Sequence, residues 1–254
     1  MFHPPLLKIL PWSLACVLII ALAFICTDAL LDGPGNSLDE QIISALRDPQ
    51  NPQRMLGPRL LQESMRDLTA LGGYAVLIMV SLCFAVFARL ELSRETFRFF
   101  LLSITGSFLL NVLIKEFVQR ARPEVVPHLA FARGSTSFPS AHAMMSVVVY
   151  ASIGLLLSTR TRDRHLQRLF SFFPLWLAAV IGLSRVCMGV HYPTDVLAGW
   201  AAGLLWTWTT FQLRQPIDGH SCPSTSHQNT VTPTQPESQS ASHAPSRNKH
   251  SQAP

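Results

Sequence analysis

The sequence predicts an all-α polytopic membrane protein with about six transmembrane helices, and three observations carry that prediction. Only 14% of the 254 residues are charged and 48% are hydrophobic, whereas a soluble domain runs near a quarter charged. Mean hydropathy is positive. The charge is also segregated, with long uncharged runs alternating with short basic connections as far as Leu213.

Six runs reach or approach the roughly 20 residues needed to cross the hydrocarbon core. They lie at about 10–31, 68–88, 97–115, 141–159, 169–185 and 196–213. Backbone groups cannot go unpaired in lipid, so each is expected to be a helix. The first run follows Lys8, but no small-x-small cleavage site comes after it; Thr27, Asp28 and "ALLDGPG" follow instead. It therefore reads as a retained membrane helix rather than a signal peptide. The third and fifth runs have uncharged cores of only about 16 residues and end at Lys115 and Arg185. Their helices are expected to continue into a polar site.

The longest connection, 32–67, contains "SLDEQIISALRD", with a Ser cap, acids in the first turn and helical apolar spacing. That predicts a helix, either amphipathic on the membrane surface or packed as an ordinary loop helix. Residues 1–214 are expected to form the membrane domain. Residues 215–254, rich in Ser, Pro, Gln, Thr and His, cannot bury a core and are expected to be disordered. The five cysteines show no paired spacing for disulfides or zinc. They read as small buried hydrophobes.

Lys and Arg in the short connections set orientation. Arg89, Arg94 and Arg98 follow the second run, and Arg160, Arg162, Arg164 and Arg168 follow the fourth. These connections and both termini are expected in the cytoplasm. The opposite surface then carries the segment 32–67, the connection 116–140 and the stretch joining the last two runs.

Three stretches on that outer surface carry charge where apolar residues would be cheaper. In "KEFVQRARP", Lys115 and Arg122 lie seven residues apart, two helical turns, so one helix can present both on one face before Pro123 stops it. In "FPSAHA", Pro139 and Ser140 mark a helix N-terminus, where free N–H groups and the dipole favour an anion, with His142 in the first turn. In "SRVCMGVHYPTD", Asp195 lies four residues after His191, close enough to hold the imidazole Nδ1–H and leave Nε2 free to attack. Arg185 can point into the same space. Singly, each has a bland reading as a cap, an interfacial anchor or a helix-start acid. Jointly, three cations, two histidines and a helix N-terminus on one surface read as a phosphoryl site. One histidine can attack phosphorus and the other protonate the leaving oxygen. No acidic or His/Cys set supplies a metal shell, so no cofactor is expected.

These stretches resemble the three signature motifs of the type 2 phosphatidic acid phosphatase superfamily, which includes lipid phosphate phosphatases and vanadium haloperoxidases. The family pattern is K-x6-R-P, P-S-G-H and S-R-x5-H-x3-D. It is matched at Lys115, Arg122 and Pro123, then Pro139, Ser140 and His142, then Ser184, Arg185, His191 and Asp195. Ala141 replaces the usual Gly, one small residue for another. The resemblance implies that His191 is the nucleophile, that Asp195 orients it and that His142 is the general acid and later the base. It implies that Lys115, Arg122, Ser140 and Arg185 hold phosphate oxygens. The function expected is hydrolysis of a lipid phosphate or diphosphate, such as phosphatidate, phosphatidylglycerol phosphate or polyprenyl diphosphate. The expected partners are that lipid and the membrane itself, with no nucleic acid, in a bacterial inner membrane with the site facing the periplasm, or the lumen in a eukaryote. The rivals are transfer of the phosphoryl group to another lipid-linked acceptor, haloperoxidase chemistry, which six spans disfavour, and a non-enzymatic lipid-binding or transport protein. A complete motif set argues against the last.

Overall fold

The computed structural model describes residues 38–213 apart from position 133. The expected first membrane helix at 10–31 and the tail from 215 lie outside the described residues. In chain order the elements are α1 (Leu38–Ala45), β1 (Arg47–Asp48), β2 (Asn51–Met55), α2 (Arg59–Ala70), α3 (Tyr74–Glu91), α4 (Arg94–Val118), α5 (Ala141–Ser158), α6 (Arg164–Cys187) and α7 (Pro193–Leu213). Helices α3, α4, α5 and α6 are long and apolar enough to cross a membrane. Helix α7, 21 residues long, covers the run expected as the sixth span. The chain is thus helical and membrane-spanning, as the hydropathy pattern requires.

The two short apolar cores behave as expected. Helix α4 extends to 25 residues and α6 to 24, and they carry Lys115 and Arg185 in their last turns. One expectation fails. The helix bearing Lys115 ends at Val118, not at Pro123, because Gln119 takes the left-handed conformation (φ 48°) and donates its N–H to the Lys115 carbonyl at 3.0 Å. Lys115 and Arg122 therefore do not share a helical face; the chain reverses and brings Arg122 back. The reversal is held by an isolated Ala121–Thr136 bridge and by Ser137, whose N–H donates to the Arg120 carbonyl at 2.8 Å.

Helix α5 is apolar on every side, so it can only be stable when surrounded. It packs most extensively against α6 and α7, with Met144, Val147, Val148 and Val149 buried. Lipid offers no hydrophobic drive between helices, so close approach of small residues does the joining. On α7, Gly199 and Gly203 face α5: a Cβ at either would lie 2.8 Å from the Ser140 or Met144 carbonyl oxygen. On α6, Pro174 leaves the Phe170 carbonyl without its helical donor, and that carbonyl meets Gly154 of α5. A polar stripe on α4 (Ser103, Ser107 and Asn111) is buried towards α5 and leads to Lys115. Its hydroxyls and amide find partners: Ser103 Oγ lies 3.2 Å from Thr210 Oγ1, Ser107 Oγ donates to the Ile104 carbonyl and Asn111 Nδ2 reaches Met144 Sδ. Gly203→Leu should force α7 from the segment of α5 that carries His142, lowering stability by about 1–3 kcal/mol. A thermal melt of the detergent-solubilised protein checks this; an unchanged midpoint would refute the packing argument.

Over the end of the helices that carries Lys115 and Arg185 lie α1, the hairpin, α2 and the connection 119–140. Helix α1 buries Asp39 and Ile43, and Ile43 joins Val126, Ala143, Val186 and Val196 in one cluster. It is the packed loop helix, not a surface-lying one. The hairpin of β1 and β2 was not anticipated. Cys187 is buried, whereas Cys83, expected to be buried as well, faces outward on α3.

Candidate active site

Two helix N-termini meet at this end. Pro193 opens α7 with its fixed φ, which places Asp195 in the first turn. Ser140 is the N-cap of α5, and its N–H donates to the Asp195 carbonyl at 3.0 Å. Its hydroxyl does not cap the helix; it is buried without a protein partner. Between α6 and α7, Gly189 turns the chain with φ 71°, and a side chain there would strike the buried Arg47 guanidinium. Arg47 in turn donates to the Cys187 carbonyl at 2.8 Å. The turn delivers His191, which is 2% exposed.

The imidazole is oriented from both sides. Arg122 Nη1 lies 3.3 Å from His191 Nε2. A guanidinium only donates, so Nε2 is the lone-pair nitrogen and Nδ1 carries the hydrogen. Nδ1 faces Asp195 Oδ2 at 3.5 Å. That is an electrostatic contact longer than a good hydrogen bond, and Nδ1 is otherwise unpartnered. Burial, reinforced by Arg185 and Arg122 and opposed by Asp195, pushes His191 down to about 4. The neutral imidazole that results keeps a lone pair on Nε2.

The cations converge on the same space. Arg122 Nη1 also donates to the Val190 carbonyl at 2.7 Å, and its Nε donates to the Gly134 carbonyl at 3.0 Å. Lys115 Nζ donates to the Thr136 carbonyl at 3.3 Å. Arg185, 3% exposed, donates from Nη1 to Thr69 Oγ1 at 3.0 Å, while its Nε has no protein partner. His142, in the first turn of α5, lies within electrostatic reach of Arg185, His191, Arg122 and Lys115 together. Gly72, in the turn between α2 and α3, packs beside it, and a Cβ there would lie 3.3 Å from His142 Cδ2. The structure thus gathers all seven residues singled out by the sequence at one place. Buried polar atoms ordinarily have partners, so the unpartnered Ser140 Oγ and Arg185 Nε suit a ligand rich in acceptor oxygens. Among the described residues no His, Cys, Asp and Glu cluster could hold a metal ion.

Several participants were invisible in the sequence. Arg120 donates from Nη1 to Asp195 Oδ1 at 2.9 Å and from Nη2 to Asp39 Oδ2 at 2.9 Å. Arg120 lies inside the first motif but between its specified positions, and Asp39 is 81 residues upstream of it. No spacing rule joins them.

Residues 96–217 match the family model of the PAP2 superfamily. Phosphatidylglycerophosphatase B of Bacillus subtilis (strain 168) is 32% identical over 199 residues, covering 77% of this chain and 90% of that protein. The chain belongs to the PAP2 superfamily. The crystal structure of the first transmembrane PAP2 type phosphatidylglycerolphosphate phosphatase, also from B. subtilis, superposes with a TM-score of 0.63 at 27% identity, over 80% of this chain and 98% of that one. Decaprenylphosphoryl-5-phosphoribose phosphatase of Mycobacterium tuberculosis (strain CDC 1551 / Oshkosh) is 35% identical over 130 residues, 48% of this chain and 64% of that protein. This PAP2 protein is therefore an integral membrane enzyme, a phosphatase of lipid phosphates or diphosphates. Its relatives act on different lipids, so membership alone does not name the substrate.

Proposed function

We propose that this PAP2 enzyme hydrolyses its lipid phosphate through a phosphohistidine on His191, without a metal ion. The observation that carries the proposal is the direction of the His191 Nε2 lone pair, aimed at Arg122 with Nδ1 turned to Asp195. A phosphoryl group held by Arg122, Lys115, Arg185, Ser140 and the amides that open α5 would meet that lone pair. Nε2 attacks phosphorus, the bond to the lipid oxygen breaks, and His142 gives the departing oxygen its proton. His142 then takes a proton from water, whose oxygen attacks phosphorus. The P–N bond breaks, releasing inorganic phosphate and neutral His191. The three protein cations neutralise the equatorial oxygens, the task often given to Mg²⁺.

A groove of about 380 Å³ supports a lipid substrate. It is lined by Tyr74, Leu77, Ser81, Phe108 and Met145 among others, between α3, α4 and α5. Tyr74 of that lining follows two residues after Gly72, which packs beside His142, so an acyl or prenyl chain in the groove would extend towards the phosphate site. Phosphate release from phosphatidate, phosphatidylglycerol phosphate and a polyprenyl diphosphate, each in detergent with EDTA, tests the reading and ranks the substrates. Activity should survive chelation, and vanadate should inhibit by adopting the trigonal bipyramid of the transition state. A strict Mg²⁺ requirement would overturn the assignment of charge neutralisation.

The site would face the periplasm of a bacterial inner membrane. Arg160, Arg162, Arg164 and Arg168 lie in or beside the connection from α5 to α6, at the opposite ends of those helices from His142 and Arg185, and such clusters stay cytoplasmic. Single cysteines at the exposed positions Glu124 and Arg162, in a cysteine-free background, can be probed on intact cells with a membrane-impermeant thiol reagent. Label is expected at 124 alone. Label at 162 alone would place the site in the cytoplasm.

A further inference from the structure

We propose that Arg120 and Asp39 are positioning residues for the phosphoryl transfer: Arg120 holds Asp195 towards His191, and Asp39 holds Arg120. The inference rests on the phosphohistidine reading and adds a layer behind it.

Asp195 is fully buried, and a carboxylate in that state needs a charge partner. His191 cannot be that partner while it is neutral. Arg120 is: its Nη1 reaches Asp195 Oδ1 at 2.9 Å. The other oxygen, Oδ2, accepts the Tyr192 N–H at 2.9 Å and faces the imidazole. Fixing Oδ1 on one side leaves the carboxylate a single orientation in which Oδ2 points at Nδ1. The tautomer of His191 therefore depends on a guanidinium that lies beyond the carboxylate.

Arg120 is itself immobilised. Nη1 also donates to Thr194 Oγ1 at 2.7 Å, Nη2 donates to Asp39 at 2.9 Å, and the guanidinium lies 4.2 Å over the Tyr192 ring. Asp39, 4% exposed, accepts the Thr194 N–H at 3.1 Å and also its hydroxyl. It thus ties the first turn of α7 to α1 as well as clamping Arg120. Only a planar fork can reach two carboxylates and stay flat on a ring, which is why Arg and not Lys suits this place. Lys115, Arg122 and Arg185 act together on His142, whereas the fork of Arg120 is directed at carboxylates. Asp39 also lies outside the residues that match the family model, 96–217. One end of the clamp is therefore contributed by α1, ahead of the described membrane helices.

The test uses the purified full-length enzyme in detergent, on a lipid phosphate that the wild type hydrolyses. Arg120→Gln should lower kcat about 10²-fold, and Asp39→Asn about tenfold, with KM and vanadate inhibition held within about twofold. A positioning role makes the losses non-additive: in an Asp195→Asn background, Arg120→Gln should change kcat by no more than about twofold. Arg120→Lys keeps the charge without the fork. It should show a reduced kcat at unchanged KM, and it serves where the Gln variant fails to fold. Wild-type kcat in Arg120→Gln or Arg120→Lys would overturn the proposal. So would losses that multiply with those of Asp195→Asn, the mark of an independent structural role. A fall in vanadate affinity in place of kcat would make Arg120 a phosphate ligand and overturn it too. A wild type inert on every lipid phosphate would sink the phosphatase reading, whereas an active wild type with an unaffected Arg120 variant sinks this inference alone.

Discussion

His191→Gln is expected to reduce turnover on the order of 10⁶-fold, the scale seen when a nucleophilic unit loses its essential member. The glutamine amide nearly reproduces the reach of the imidazole and can keep the Arg122 contact, but it has no basic lone pair. Binding should persist: vanadate and substrate still meet Lys115, Arg122, Arg185 and the α5 amides. The loss should appear in kcat, with no acid-labile phosphoenzyme trapped by quenching during turnover. An unchanged melting midpoint will show that the buried position tolerates the amide. Substantial turnover in this variant would mean that water attacks phosphorus directly, and the covalent mechanism would be wrong.

His142→Ala should cost about 10²–10⁴-fold on alkyl lipid phosphates, the usual worth of a general acid. The size of the loss should depend on the leaving group. A lipid alkoxide departs only if it is protonated, so removal of His142 strands the first step. A nitrophenolate departs unaided, so with a nitrophenyl phosphate the first step should survive and the second should slow, because the proposed mechanism also makes His142 the base for water. A burst of nitrophenol followed by a slow steady state is the expected signature, with phosphate accumulating on His191. Equal losses on both substrates would deny His142 an acid role. Its place in the first turn of α5, beside Arg185, His191, Arg122 and Lys115, is what makes both roles feasible for one side chain.

Much of this architecture was legible without coordinates because two constraints act along the chain itself. Lipid requires about 20 apolar residues per helix, so the runs at 97–115, 141–159, 169–185 and 196–213 fell close to α4 to α7, whereas the run at 68–88 began inside α2, ahead of the turn that opens α3 at Tyr74. The candidate site residues were legible because cations and histidines fall where apolar residues would be cheaper and match the motifs of the family the chain resembles, and a helix start such as Pro139–Ser140 or Pro193 announces itself locally. Lys115 and Arg122 mark the limit of that reasoning. Seven residues suggested a shared helical face, but a left-handed Gln119 ended the helix first, and only the return of the chain along Ala121 and Thr136 brought the cations together.

By itself, then, the sequence determined that the chain is a helical membrane protein with a histidine, carboxylate and cation set suited to phosphoryl transfer, because hydropathy and motif spacing are properties of short segments. Only the tertiary structure decided what holds that set in place. Gly199 and Gly203 draw α7 onto the start of α5, and a glycine shows no partner in a sequence. Arg120 bridges Asp195 to Asp39, residues on two separate elements whose meeting depends on how α1 and the loop after α4 pack over the membrane helices. Contacts between distant segments are selected by the whole fold's burial and charge balance, and no window of the chain contains that information.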